Sequence, residues 1–276
     1  MRLIGTIVVI FIIAQLLGVY TGYMILNDIT GNPYVSSFIV TSDAESPANA
    51  VLFMVYILIG AVVMIILIRK FGLHEIIFKI LEFVLISVAS SIVFYSLLRL
   101  VFDYEASMIA GILFGLSLAS LKYFRPGFKN LAAIFATAGV GVILGISIGP
   151  LPVILFLILL SIYDYISVFK TKHMVEFADY IVEKELAFTV TSQAVVEGKE
   201  RRIDLGTGDL IAPIILEVSL LAYMPAAVPF VFAGAVVSLG VFLFLVWKKK
   251  VVLPALPPLV FGMLLFLLLG MLLGFY

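Results

Sequence analysis

The sequence predicts an all-α polytopic membrane protein with nine transmembrane helices, a cytoplasmic N-terminus and a C-terminus outside. Of its 276 residues, 64% are hydrophobic and 12% are charged, whereas soluble domains have about 45–50% apolar and about 25% charged residues. Its apolar runs are about 20 residues long, the length at which an α-helix crosses a bilayer, rather than the short alternating segments of a membrane barrel.

Composition also excludes several classes of function. The net charge is zero and the basic residues are scattered over short loops, so no nucleic-acid partner is expected. The chain has no cysteine, which excludes disulfides and cysteine metal sites, and its two histidines, His74 and His173, are far apart in the sequence. We therefore expect no metal and no cofactor.

The nine helices are predicted from nine apolar segments. The third segment is long enough to tilt and the fourth is short. The segments run approximately over residues 3–26, 50–68, 76–102, 106–121, 130–149, 151–169, 208–227, 229–247 and 254–275.

The sidedness follows from the Lys and Arg bias of short loops. With the N-terminus in the cytoplasm, 16 of the 17 basic residues fall on the cytoplasmic side and only Arg99 falls outside. The 27–49 loop contains Asp28, Asp43 and Glu45 and no basic residue. The chain then divides into helices one to six (1–169), a cytoplasmic loop (170–205) and helices seven to nine (206–276).

The 170–205 loop has two predicted parts. Apolar residues at helical spacing over 174–186 indicate an amphipathic extension of helix six. The 188–196 stretch is rich in β-branched residues. We interpret it as a mobile loop, with β-strand addition to an unwound substrate as the sharper alternative.

Two aspartates lie inside apolar segments, where a carboxylate is costly and marks a candidate functional site. Asp164 lies six residues before Lys170, and Asp209 lies seven residues after Arg202. At 1.5 Å per residue, each lies roughly 9 Å below the cytoplasmic edge. Because consecutive helices are usually neighbours, we expect the two carboxyls to face each other at one depth.

Two close carboxyls share a proton, with apparent pKa values that belong to the pair. The ionised member can take a proton from a water that attacks a carbonyl, while the protonated member donates to the carbonyl oxygen. This is peptide hydrolysis without a metal. Buried acids also suit an ion-coupled secondary transporter or an acid-lined cation pore, which remain alternatives. The position of the pair towards the cytoplasm and the lack of an inverted repeat count against the transporter.

The ninth segment begins with Pro254, Ala255 and Leu256 at a similar depth. Pro257 and Pro258 follow, so several backbone N–H donors are missing. Irregular backbone at membrane depth is tolerated where it lines a water-filled cavity or is buried in protein. A proteolytic site needs both water and room for an extended substrate.

Three motifs now stand in order on helices six, seven and nine: Tyr163-Asp164, Gly206-Thr207-Gly208-Asp209 and Pro254-Ala255-Leu256. Together they resemble the signatures of the presenilin and signal peptide peptidase family, the intramembrane aspartyl proteases of the GxGD type. The resemblance implies that Asp164 and Asp209 are catalytic. It also implies that the following residues support the active site or bind substrate: Tyr163, Gly206, Thr207, Gly208, Pro254, Ala255 and Leu256.

The resemblance extends to both branches of the family. Thr207 stands at the variable GxGD position, often Leu in relatives and implicated in substrate choice. Pro213 resembles the signal peptide peptidase branch, whereas the cytoplasmic N-terminus resembles the presenilin branch. The implied protein is a presenilin-like microbial homologue in the cell membrane. Its implied substrates are single-span transmembrane proteins with their N-terminus outside. Membrane lipid is the other expected partner, and a homo-oligomer is left open.

Four other features carry expectations. Glu217 lies mid-membrane, and we interpret it as a protonated structural carboxyl, with a substrate or water-access role as the alternative. Gly141, Gly145 and Gly149 form a GxxxG ladder that predicts close helix packing, with a dimer face as the lesser alternative. Glu82 is expected to pair locally, near Lys79. Tyr163 is expected either to bond the aspartates or to pack.

Overall fold

The computed structural model describes residues 2–29, 31, 33–71, 75–171, 186–196, 199–249 and 253–276. Within these residues, nine helices have at least 17 residues, and we number them α1 to α9. In that order they are Arg2–Asp28, Ala48–Phe71, Glu75–Leu98, Tyr104–Phe124, Lys129–Ser147, Pro150–Ile166, Thr207–Tyr223, Val228–Lys249 and Leu256–Leu272. Each overlaps one predicted apolar segment, which confirms that these segments are helical.

Six stretches of the described chain are long and apolar enough to cross a membrane. They are Leu3–Asp28, Ile76–Leu98, Tyr104–Phe124, Pro126–Ser147, Pro150–Lys170 and Pro225–Lys248. Two further apolar helical stretches, Ala48–Val63 and Leu256–Leu272, are shorter. The chain is therefore a multi-pass membrane protein, while nine crossings and the sidedness of the termini stay predictions.

Helix α7, which carries Asp209, is a central element of the bundle. It contacts α1, α5, α6, α8 and α9, and every residue from Ala212 to Leu220 is buried. Apart from Glu217 and Ser219 these residues are apolar, and a helix that is apolar on nearly all sides belongs in the interior of a bundle. Asp209 therefore lies at one end of a helix that is enclosed by its neighbours.

Glycines allow α5 to approach α7 closely. A Cβ atom added to Gly141 would lie 2.6 Å from Ile214, and one added to Gly145 would lie 2.7 Å from Val218, which is closer than carbon atoms pack. Two glycines of α1 approach the same two side chains: Gly18 and Gly22. The ladder residues 141 and 145 thus pack within the chain. The close-packing prediction is confirmed for them, and the dimer-face alternative is wrong.

The segment after α6 contains a β-hairpin that the all-α prediction missed. Strand β1 (Thr189–Val196) pairs antiparallel with β2 (Lys199–Gly206), with Thr189 opposite Gly206. The mobile-loop interpretation of 188–196 is therefore wrong: its β-branched residues form a strand because the charged run after it supplies a partner. The predicted amphipathic extension lies outside the described residues, apart from Leu186, which is buried.

The single basic residue predicted outside is neutralised by an ion pair. Arg99 donates from Nε to Asp28 Oδ2 at 2.8 Å, and the Tyr95 hydroxyl donates to the same oxygen at 2.8 Å. The guanidinium carbon lies 3.9 Å from the centroid of the Tyr104 ring. The hydrogen bond to Asp28 raises the pKa of Arg99. This cluster joins the end of α1 to the end of α3 and the start of α4.

Candidate active site

Asp164 lies in the last turn of α6, where the helix changes its hydrogen-bonding pattern. A π-helical turn, Ser167–Thr171, follows at once. The Ser167 backbone N–H donates to the carbonyls of both Tyr163 and Asp164, and the Ser167 hydroxyl donates to the Asp164 carbonyl at 3.0 Å. Such π turns occur often at functional sites. The Asp164 side chain itself is half-buried.

The start of α9 meets the Asp164 carboxyl. The backbone N–H of Leu256 donates to Asp164 Oδ2 at 3.3 Å. Pro254, Pro257 and Pro258 have no N–H, so the proline-rich start of α9 leaves few donors. Ala255 and Leu256 are 8% and 7% exposed. The third motif is thus a buried backbone segment that touches the first.

Asp209 lies in the first turn of α7, directly after the hairpin. Gly206 ends β2 and is the N-cap residue of α7. A Cβ atom at Gly206 would lie 3.3 Å from Asp209 Oδ2. A glycine at this position therefore leaves room for the carboxyl against the backbone.

The two aspartates come from helices that contact each other. Helix α6 packs against α7, and α9 contacts both. The Asp164 charge acts electrostatically on Asp209. The structure thus brings together the predicted pair and Leu256 of the third motif. Two carboxyls, one of them with a backbone N–H donor, can activate water and polarise a carbonyl.

The remaining predicted site residues have different environments. Thr207 donates from its backbone N–H at 3.0 Å and from its hydroxyl at 3.1 Å to the Phe188 carbonyl. Gly208 is exposed, and an added Cβ would meet no atom within 4 Å. Tyr163 interacts electrostatically with Asp164, but among the described residues its hydroxyl has no hydrogen bond, which favours the packing interpretation.

Sequence reasoning missed the residues that hold the hairpin. Glu82 of α3 accepts hydrogen bonds from Lys122 Nζ at 2.5 Å and from the Ala187 backbone N–H. The local pairing expected for Glu82 therefore overlooked a long-range partner. Lys122 stands out in the sequence near the end of a helix, but that position predicts only a positive charge on the cytoplasmic side and not its contact with Glu82. Nothing in the sequence marks Asn130 of α5 as a site residue, yet its side chain forms hydrogen bonds with the Thr191 backbone in β1.

Glu217 is the other unusual acid. It is fully buried in α7, and both its carboxyl oxygens lack a hydrogen-bond partner among the described residues. No three His, Cys, Asp or Glu residues cluster as metal ligands within the described part of the chain.

Comparison with known proteins identifies relatives over almost the whole chain. The family model for signal-peptide peptidase and presenilin aspartyl protease matches residues 8–275. Two solved structures, each described as a presenilin family intramembrane aspartate protease, are similar to the chain. The one in space group C222 has 26% identity and a TM-score of 0.70, covering 99% of this chain and all of that chain. The one in P2 has 27% identity and a TM-score of 0.64, covering 95% and 97%. No curated protein matches.

Proposed function

The chain belongs to the signal-peptide peptidase and presenilin aspartyl protease family, and on that premise we propose that Asp164 and Asp209 are the catalytic dyad of an intramembrane aspartic endopeptidase. The reaction is the hydrolysis of peptide bonds in transmembrane segments of membrane proteins. The observation that carries the assignment is the convergence of three motifs: Asp164 accepts from Leu256 and interacts with Asp209.

The mechanism follows from a dyad that holds one proton. The ionised carboxyl removes a proton from water as the water oxygen attacks the scissile carbonyl carbon, and the protonated carboxyl donates to the carbonyl oxygen. The tetrahedral intermediate then collapses, the C–N bond breaks, and the leaving nitrogen takes a proton from the dyad. No covalent enzyme intermediate forms.

The hairpin supports a mode of substrate binding. Strand β2 continues through Gly206 directly into Thr207 and the first turn of α7. An unwound transmembrane segment added to the hairpin as a further strand would therefore run towards Asp209. Strand addition satisfies the backbone groups that unwinding frees. The proposed substrates are single-span proteins with their N-terminus outside.

The test compares the wild-type protein with Asp164→Asn and Asp209→Asn. Detergent-purified protein is incubated with a model single-span peptide, and products are identified by mass spectrometry. Both variants should lose product while the control Asp43→Asn, at an exposed loop position, retains it. Equal product from all proteins would indicate a contaminating protease. Ion flux into liposomes that requires both acids, without any peptide cleavage, would favour the transporter or the pore. The family match does not favour either of them.

A further inference from the structure

Each strand of the hairpin has an outer edge that faces away from its partner. In an antiparallel ladder, pairs that exchange both backbone hydrogen bonds alternate with pairs whose N–H and C=O groups point outward. Thr207 N–H bonds to the Phe188 carbonyl, one step beyond the Thr189–Gly206 pair. Counted back along the hairpin from Phe188 and Thr207, Thr191 and Asp204 are the third pair. By the alternation, their backbone N–H and C=O groups therefore point outward.

The outward groups of Thr191 are occupied by one side chain. Asn130 Nδ2 donates to the Thr191 carbonyl at 2.7 Å, and the Thr191 N–H donates to Asn130 Oδ1 at 2.9 Å. A side-chain amide has the same donor and acceptor as a peptide group. Asn130 therefore bonds the outer edge of β1 as a neighbouring strand would, which is one way in which proteins cover exposed edges.

A second side chain from the same turn holds β1 beside Asn130. Lys129 Nζ donates to the hydroxyls of Thr189 at 3.0 Å and Thr191 at 3.2 Å. Lys129 is only 7% exposed, so its ammonium group is committed to the strand. Together, Lys129 and Asn130 attach β1 to the start of α5.

The outer edge of β2 has a different environment. By the same alternation, the backbone groups of Arg202, Asp204 and Gly206 point away from β1. Arg202 is exposed and Asp204 is half-buried. A Cβ atom at Gly206 would lie 3.3 Å from Asp209 Oδ2, so this edge ends at the proposed dyad.

We propose that Asn130 is a positioning residue that closes the outer edge of β1, so that an extended substrate pairs with β2 and is directed to Asp209. This inference rests on the proposed function, because only peptide hydrolysis requires an extended substrate here. Without Asn130, the hairpin would offer two edges, and one of them does not lead to the dyad.

Cleavage kinetics of the full-length protein with the model peptide provide the first test. Asn130→Ala should raise KM roughly tenfold with little change in kcat, because two hydrogen bonds that order the hairpin are lost. Asn130→Asp should also raise KM, since its carboxylate keeps the acceptor for the Thr191 N–H but has no donor for the Thr191 carbonyl. The control Asn27→Ala alters an exposed asparagine of α1. An unchanged KM in Asn130→Ala, or a lower Tm with an unchanged KM, would overturn the proposal.

Cross-linking reports the edge directly, and the chain contains no cysteine that would interfere. Gln193 and Arg202 are opposite each other in the hairpin, and both are exposed. Gln193→Cys and Arg202→Cys are made in separate proteins that also carry Asp209→Asn. Each protein is mixed with a series of single-cysteine peptides, and oxidation then forms a disulfide where the two cysteines are close. Adjacent strands are about 4.8 Å apart, within the reach of a disulfide, whereas the second strand away is beyond it.

The peptides should cross-link to Arg202→Cys and not to Gln193→Cys, and adding Asn130→Ala should produce the Gln193→Cys product. Equal yields at both positions with Asn130 present, or no product at either, would overturn the proposal. Absence of cleavage by the wild-type protein would refute the proposed function instead, while the cross-links would still report which edge binds the peptide.

Discussion

The backbone N–H of Leu256 donates a hydrogen bond to the carboxyl of Asp164, over 3.3 Å, and so joins the start of α9 to α6. Prolines at 254, 257 and 258 remove the neighbouring donors. The Pro254-Ala255-Leu256 motif and the two prolines after it thus have few backbone N–H donors, and the N–H of Leu256 points at the Asp164 carboxyl. Buried backbone of this kind, next to a helix start, is tolerated at membrane depth because protein surrounds it.

Removing this donor should impair catalysis. Leu256→Pro deletes the N–H, and it also disfavours the αR conformation of Ala255, which precedes it (φ −89°, ψ −29°). We expect kcat/KM to fall roughly 10- to 100-fold, the effect of losing a hydrogen bond to a carboxyl group. Leu256→Met is the matched control, because it keeps the N–H and a similar volume. Equal activity of the two variants would show that this contact does not support the dyad.

A methyl group at Gly145 should separate α5 from α7. Its Cβ would lie 2.7 Å from Val218 Cβ and 2.9 Å from the Ile215 carbonyl. We expect Gly145→Ala to lower the free energy of unfolding by about 1–3 kcal/mol and to reduce cleavage, because α7 carries Asp209. Thermal unfolding in detergent measures the first effect. Gly240→Ala, in a helix with open space around the site, should leave the Tm unchanged or raise it.

Breaking the Asp28–Arg99 pair should destabilise the fold. The two side chains are 7% and 17% exposed, so Asp28→Asn leaves a largely buried guanidinium without its counter-ion. We expect a loss of about 2–4 kcal/mol, measured as a lower Tm. The double variant Asp28→Asn/Arg99→Gln should recover part of the loss, because no unpaired charge remains. A double variant less stable than Asp28→Asn would contradict this account.

Replacing Glu217 decides between its two interpretations. Both carboxyl oxygens lack partners among the described residues, so Glu217→Met removes unsatisfied polar atoms while keeping the side-chain length. We expect a gain of about 1–3 kcal/mol in the free energy of unfolding. Unchanged cleavage would support a structural carboxyl, and lost cleavage with a raised Tm would support a role in water or substrate access. Glu105→Met, at an exposed position, is the control.

Local sequence was sufficient for the helices and the motifs. A run of about 20 apolar residues has to satisfy its backbone internally in lipid, and every such run is a helix here. The two aspartates were singled out because a buried carboxylate is costly, and consecutive helices placed them together. The 188–196 stretch was misjudged because a strand depends on its partner, and the polar partner 199–206 shows no hydrophobic alternation.

Partners distant in the chain did not follow from the sequence. Glu82 binds Lys122, 40 residues away, and Asn130 binds Thr191, 61 residues away. The glycine ladder predicted a close contact, but only the packed bundle shows that α7, rather than a second copy, makes it. The sequence by itself determined the class of protein, the helices and the candidate dyad, because lipid imposes those constraints residue by residue. The tertiary structure alone decided which contacts hold the hairpin and α9 near the candidate dyad, because such contacts depend on how the helices pack.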